Sequence, residues 1–459
     1  MRRALGMLAA LVLGLPAMAA ERHFALETRS SVFEIDQGVY LKGFSFNDRS
    51  PGPMLVVEEG DTVHITLKNL DTVTHGLSIH AANTQTSKFL GNVQPGETRE
   101  FTFTADFPGV FMYHCAPGGH GIMAHTMGGQ FGMLVVEPKE KYRMEQELGR
   151  APDLKLYVIQ SEAYASGRDF YDGKALYVMF NGKNFRYVHD PIPVRPGDYL
   201  RIYFLNVGPN LTSTFHVVGG VWEYLYYQGN PQNLMVGSQT ALAGPSDSWV
   251  IEWRVPPVEG DYALVTHVFG TAIKGALGIL RAKKDAPRIH EVRAEGLPGV
   301  KEAPASAKRV VDPYGLPLPS RDHTVRVPLD PALVRPVAVG TKALAPLPVT
   351  VQMVGNSFYP KVLEIPVGTT VEFVNEDVFD LLDGERTGRH DAVVIDVQGP
   401  EPFVTPKLGH SAGERYPITF TKPGEYTYIC SIHPYMKGVI RVYEPLEQRA
   451  ESQEPTPRH

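Results

Sequence analysis

The sequence predicts an all-β chain of three Greek-key β-sandwiches in tandem, and three observations predict it. Its 459 residues exceed what one core organises, and about 150 residues per domain gives roughly three units. Short β-branched and aromatic runs bounded by Gly, Pro, Asn and Asp recur along the chain, while sustained helical periodicity is rare. One phrase returns three times: Glu59-Gly60-Asp61-Thr62-Val63, Arg195-Pro196-Gly197-Asp198-Tyr199 and Pro366-Val367-Gly368-Thr369-Thr370 each set a Gly turn before a strand. Later in each block Phe107-Pro108-Gly109, Val258-Glu259-Gly260 and Lys422-Pro423-Gly424 lead into another strand, which points to one ancestral unit used three times.

Residues 1–20 read as a secretory signal, with Arg2 and Arg3, an apolar stretch from Leu5 to Leu15, and the small-residue pattern Ala17-Met18-Ala19-Ala20. That stretch is too short to span a bilayer and no later one is longer, so the expected mature chain has no membrane span and is exported, periplasmic or otherwise extracytoplasmic. The first sandwich is expected over residues 21–140, with strands around Val63–Leu67, Phe101–Phe103 and Met133–Val136. The second covers 151–285, with strands around Tyr199–Phe204 and Trp249–Trp253. Residues 286–346 hold many Pro and Ala without periodicity, as in Pro313-Tyr314-Gly315-Leu316-Pro317, and read as an extended linker wrapping over the surface. A third sandwich follows over 347–445, with strands around Thr370–Val374 and Gly438–Val442, and 446–459 is a polar tail expected to be disordered. With 43% hydrophobic and 20% charged residues each sandwich can bury a core. The net charge of −6, without a Lys/Arg run, gives no footing for nucleic acid or an anionic membrane as partner.

Only two cysteines are present, Cys115 and Cys430, in different blocks and each beside histidines, a pattern that suits two metal thiolates better than a disulfide. A blue, or type 1, copper centre takes one thiolate, two imidazoles and a weak axial donor. The third block supplies that set as Cys430-Ser431-Ile432-His433-Pro434-Tyr435-Met436 with His390 upstream, whereas His410, at a predicted turn, reads as a surface residue. The first block holds His75 and His80, then His114-Cys115. Alternation along a strand sends His75 and Cys115 to one face, for a blue copper, and His80 and His114 to the other, for a second metal. The His114–Cys115 peptide then joins the two metals by a short covalent path for one electron. The second block has no cysteine but offers His216, in Phe215-His216-Val217-Val218-Gly219-Gly220, and His267, in Thr266-His267-Val268.

Over roughly residues 35–285 the chain resembles the copper-containing nitrite reductases. The motifs that carry the resemblance are His75-x4-His80, Tyr113-His114-Cys115-Ala116-Pro117, the loop into Gly132-Met133-Leu134-Val135-Val136-Glu137-Pro138, Phe215-His216-Val217-Val218-Gly219-Gly220, and His267. The third block is similar to the amicyanin and plastocyanin group through its Cys-x2-His-Pro-x-Met loop. The resemblance implies three cupredoxin-like domains carrying two type 1 coppers and one type 2 copper per chain. It places one type 1 copper on His75, Cys115 and His125, and the other on His390, Cys430, His433 and Met436. It places the type 2 copper on His80 and His114, completed by His267 of a neighbouring subunit, hence a homotrimer. Nitrite is then the substrate, His216 a proton donor, and a c-type cytochrome or small blue-copper protein the electron donor.

This sequence departs from the family twice. The family's axial methionine falls on Gln130, judged by the register of the following strand, with Met127 or Met123 as alternatives, and Cys115-x4-His120 leaves His120 in competition with His125. The family's catalytic Asp falls on Ser78, whose hydroxyl can hold a water but is no acid near neutral pH. Two rival functions follow: a laccase-like oxidase, disfavoured because none of the 16 histidines forms a His-x-His pair, and a non-enzymatic electron carrier, which the change to Ser78 would fit.

Overall fold

The structure, a computed structural model, describes residues 19–84, 90–117, 121–314, 324–326, 349–354, 357–375, 389–395, 400, 402–408 and 414–444. Residues 1–18 of the expected signal, His120, His410, most of 315–346 and the tail 446–459 lie outside them. Among the described residues every long element is a strand, and no helix is long and apolar enough to cross a membrane.

The first sandwich stacks two sheets. One runs Arg309–Val311, Val39–Phe46, Glu21–Asp36, Thr62–Asn69, Thr98–Thr104, and the other Leu55–Glu58, Phe131–Glu137, Gly109–His114, His75–Ile79, Leu90–Val93. Strand Thr62–Asn69 shows why the sheets stack: Val63, Ile65 and Leu67 alternate inward, wholly buried, between Thr and Lys facing outward. The phrase met three times in the sequence is a turn whose glycine takes a left-handed conformation, with φ of 91° at Gly60, 83° at Gly197 and 88° at Gly368.

The second sandwich pairs the sheet Tyr177–Phe180, Leu154–Ala163, Tyr199–Gly208, Asp247–Arg254, Trp222–Tyr227, Leu234–Ser238 with Ile192–Val194, Leu277–Ala282, Gly260–Thr266, Ser213–Val217, Thr240–Ala243. Strand Tyr199–Gly208 is buried along its whole length because both of its faces are covered. Leu200, Ile202 and Phe204 enter its own core, while Tyr203, Leu205 and Val207 join Met112, Met133 and Val135 of the first sandwich in a shared core. The two sandwiches are thereby one packed body.

Residues 286–314 cross both sandwiches as added edge strands: Glu291–Val292 pairs with Leu154–Ala163, and Arg309–Val311 with Val39–Phe46. The third sandwich, built from Thr324–Arg326, Val362–Pro366, Lys437–Tyr443, Gly424–Ile429, Val393–Val394 and from Ser357–Tyr359, Val349–Val354, Thr370–Asn375, Arg415–Thr419, has its own core. Residues Asp312–Tyr314 join it to the first. Lys361 Nζ donates to the Asp312 carbonyl at 2.8 Å, Ser357 Oγ to the Pro313 carbonyl at 2.9 Å, and the Lys437 amide to the Tyr314 carbonyl at 3.2 Å.

Candidate metal centres

At one end of the first sandwich His75 opens strand His75–Ile79 and Cys115 follows strand Gly109–His114. The sequence between Cys115 and strand Phe131–Glu137 reads as a loop, but Gly121–Met127 is a helix, and it carries His125 into the site. Cys115 Sγ lies 3.5 Å from His75 Nδ1 and 3.3 Å from His125 Nδ1, and all three residues are buried. Gln130 Oε1 lies 2.9 Å from His75 Nδ1. The Gln130 amide is oriented by its other end: Nε2 donates to the Ser45 carbonyl at 2.9 Å, so the oxygen must face the histidine. Met127 sits in the apolar core beside Phe44 and Ala124.

These groups fit a copper. Burial pushes the Cys115 thiol far above its usual range, so ionising it calls for a cation beside it. Burial, with His75 and His433 near, holds the His125 imidazole well below its usual value and therefore neutral, the form that ligates. The Gly76 amide donates to Cys115 Sγ at 3.3 Å, a bond that favours thiolate. His75 Nε2 faces Asp71 Oδ2 at 3.1 Å. Burial opposes ionising Asp71, but bonds from His75, the Thr72 amide and Ser30 hold its carboxyl below the ordinary range, so it can orient the ring as a carboxylate.

His80, one residue past the end of strand His75–Ile79, meets His114 edge to face, ring centroids 5.2 Å apart. His114 Nδ1 is 2.9 Å from the Cys115 carbonyl, which only accepts, so Nδ1 carries the proton and Nε2 is left for a metal. Burial and the neighbouring His80 depress the His114 pKa to about 4. His80 Nδ1 faces Ser246 Oγ at 2.9 Å, a residue of the second sandwich held at φ 67°. Ser78, buried, is the cross-strand partner of His114 and shares its face. A cleft of about 420 Å³ opens beside His80, lined by Phe107, Phe111, Gln228 and Asn233.

His216, on strand Ser213–Val217, donates from Nδ1 to the Gln239 carbonyl at 2.5 Å, which leaves its Nε2 open. His267 stands one residue past the end of Gly260–Thr266, exposed, with its ring 5.0 Å from that of His216. Among the described residues no group of three ligand atoms within one chain brings His267 to His80 and His114. The surface around His267 is apolar: Phe269 is 70% and Ile273 76% exposed, with Leu242 and Val268 also exposed.

In the third sandwich Cys430 Sγ lies 3.7 Å from His390 Nδ1 and 3.6 Å from His433 Nδ1. Met436 is fully buried, and its backbone closes the loop: its amide donates to His433 and its carbonyl accepts from Cys430. Asp391 pins the loop by accepting from the Ser431 amide at 2.6 Å. Between this cluster and the one around Cys115 lies a run of rings that the sequence did not single out. Tyr435 is 5.9 Å from His433 and 5.8 Å from Phe44, and Phe44 stacks on His125 at 4.2 Å, all between centroids. Tyr314 packs on both aromatic residues, at 5.2 Å from Tyr435 and 5.8 Å from Phe44, and its hydroxyl donates to the Ala124 carbonyl. The only hint in the sequence was the His433-Pro434-Tyr435 spacing, because the other contacts depend on how the sandwiches dock.

The family model for multicopper oxidases matches residues 27–141, and that for copper-binding proteins of the plastocyanin/azurin family matches 348–443. The copper-containing nitrite reductase of Neisseria meningitidis serogroup A is 32% identical over 275 residues, covering 56% of this chain and 68% of its own. Among solved structures, the Cu-containing nitrite reductase (NirK) from Thermus scotoductus SA-01 is 90% identical with a TM-score of 0.89, covering 93% of this chain and 100% of that one. The copper nitrite reductase from Nitrosomonas europaea is 31% identical with a TM-score of 0.54, covering 62% and 98%.

Proposed function

The chain belongs to the copper-containing nitrite reductases, and from that premise we propose that it reduces nitrite to nitric oxide and water at a type 2 copper shared between subunits. When bound, copper relays single electrons at the two type 1 centres and presents nitrite with that electron at the type 2 centre. The residues that would hold these ions are His75, Cys115, His125 and Gln130 for one type 1 centre and His390, Cys430, His433 and Met436 for the other. His80 and His114 of one subunit with His267 of the next would hold the type 2 ion.

The observation that carries this reading is that adjacent residues, His114 and Cys115, have different partners: Cys115 Sγ lies 3.5 Å from His75 Nδ1, while the His114 ring meets that of His80. Their shared peptide offers a covalent route of a few bonds for the electron. Among the described residues of their own chain His80 and His114 find no third ligand, and exposed His267 sits in an apolar surface. A trimer satisfies both needs at once. In the proposed assembly proton delivery falls to His216 of the subunit that supplies His267 and to Ser78 of the subunit that supplies His80 and His114. His216, fixed by its bond to Gln239, takes up and donates protons through Nε2, and Ser78, beside His114, holds the water that joins His216 to the bound substrate.

The third sandwich is read as an electron entry port, receiving from a c-type cytochrome or a small blue-copper protein. The rings of Tyr435 and Phe44 then lead from His433 to His125. Export of the chain places this exchange outside the cytoplasm. A second reading, a carrier without a reaction, draws on Ser78 in place of the expected acid.

Nitrite added anaerobically to reduced, copper-loaded protein under a nitric oxide electrode separates the two. Nitric oxide from wild type but not from His80→Ala, with three coppers per chain, is expected. Silence from a fully loaded sample removes the reductase reading, and two coppers per chain favours the carrier.

A further inference from the structure

We propose that Glu21, His23 and His64 form a surface site for a divalent transition metal, on the outer face of the first sandwich and separate from the three centres above. Strands Glu21–Asp36 and Thr62–Asn69 pair in parallel with His23 directly beside His64, and Glu21 shares their face two residues before His23. The rings stack with centroids 4.5 Å apart and planes 10° from parallel. One ligand atom from each residue lies within 4.8 Å of the other two. Ligands of one tetrahedral ion stand roughly 3.4 Å apart, so small side-chain rotations suffice for chelation.

Two further contacts point to a ligand. Glu21 Oε2 lies 2.5 Å from His64 Nε2, so carboxylate and imidazole nitrogen already aim at one point, where a divalent ion can replace the shared proton. Once Nε2 takes the metal, the His64 proton must sit on Nδ1. Thr102 Oγ1, on the next strand and directly across from His64, lies 3.0 Å from that atom and accepts it. A ligating histidine held through its other nitrogen is the usual arrangement in metal proteins. Because adjacent strands fix all the groups, little order is lost on binding. Two imidazoles and one carboxylate select zinc, nickel or cupric ions over magnesium or calcium. The partial exposure of His64 and Glu21, 30% and 62%, leaves positions open for water or an external ligand.

The test is calorimetric titration of Zn²⁺ into the copper-loaded full-length protein. Wild type is expected to take up one zinc equivalent that His23→Ala and His64→Ala each weaken at least tenfold, and Thr102→Val about tenfold. Glu21→Gln, an exposed change that spares the fold, serves if a histidine variant is unstable, and weakening by it supports the site. The blue absorption of the copper centres is expected to stay constant throughout. An isotherm identical in wild type and the variants overturns the proposal, as does zinc uptake matched by release of copper.

Discussion

Gln130 Oε1, turned towards His75 by the bond from Nε2 to the Ser45 carbonyl, would offer a copper held at the proposed first blue centre a hard amide oxygen. Gln130→Met replaces it with a thioether, which favours the reduced ion, so the potential of that centre is expected to rise in a spectroelectrochemical titration. The same change strands the Ser45 carbonyl and costs about 1–3 kcal/mol in denaturant unfolding. A fall in potential with intact folding would argue that another residue is the axial donor. The proposed division of the proton chemistry between Ser78 and His216 is open to test. His216→Asn is expected to lower kcat at least 100-fold and Ser78→Ala about tenfold, both with full copper content. Equal losses would remove the distinction between donor and water holder. His114 gives the pH dependence. Its folded pKa, near 4, lies below the free imidazole value of about 6.5, so the unfolded chain binds the extra proton. Stability of the copper-free protein is therefore full above about pH 6.5 and is lost progressively as pH falls towards 4, by at most about 3 kcal/mol, since His114 is partly exposed. Bound copper keeps that proton off the folded chain, so in thermal unfolding scans the loss of stability is expected to continue below pH 4, where the copper-free protein levels off.

Two short elements hold the blue centres in relation to each other, and neither was legible beforehand. Strand alternation alone groups His75 with Cys115 and His80 with His114, and the structure brings the same pairs together, because a strand's period of two survives any tertiary context. The helix Gly121–Met127 escaped because seven residues flanked by glycines show no period. The segment Asp312–Tyr314 read as part of a linker, since its partners, Lys361, Ser357 and the Lys437 amide, come from a different sandwich. The same blindness covers Phe44 and Tyr435, whose hydrophobic patterns announce burial but not what lies across the interface. Tyr314 is 3% exposed and braces both elements, packing on Phe44 and Tyr435 while bonding the carbonyl next to His125. Tyr314→Ala is expected to lower stability by about 3 kcal/mol through the cavity it leaves. It should also slow electron exchange between the two blue centres after flash reduction, whereas Tyr314→Phe, keeping the ring, should slow it little. Unchanged exchange in Tyr314→Ala would mean that the third sandwich stays docked without this brace.

At the scale of the whole molecule the proposed type 2 site turns on an absence: among the described residues no group of three ligand atoms within one chain joins His267 to His80 and His114. An apolar face with Phe269 and Ile273 largely exposed is costly to leave in water, and it surrounds the histidine that the other half lacks. In the proposed trimer, cyclic assembly would join each His80–His114 pair to the His267 of the next subunit. Phe269→Glu is expected to yield monomers by sedimentation, with both blue centres loaded, the type 2 signal gone and nitric oxide production at least tenfold lower. Complementation gives the sharper result. On this proposal His80→Ala and His267→Ala are each expected to be inactive alone, since every site in either trimer would lack a ligand. Co-expressed in equal amounts, they assemble sites in which an intact His80–His114 pair from one chain meets an intact His267 from the other. Random assembly makes about a quarter of the sites whole, so about a quarter of wild-type activity should return. A site formed within one chain would return none, because mixing cannot repair it.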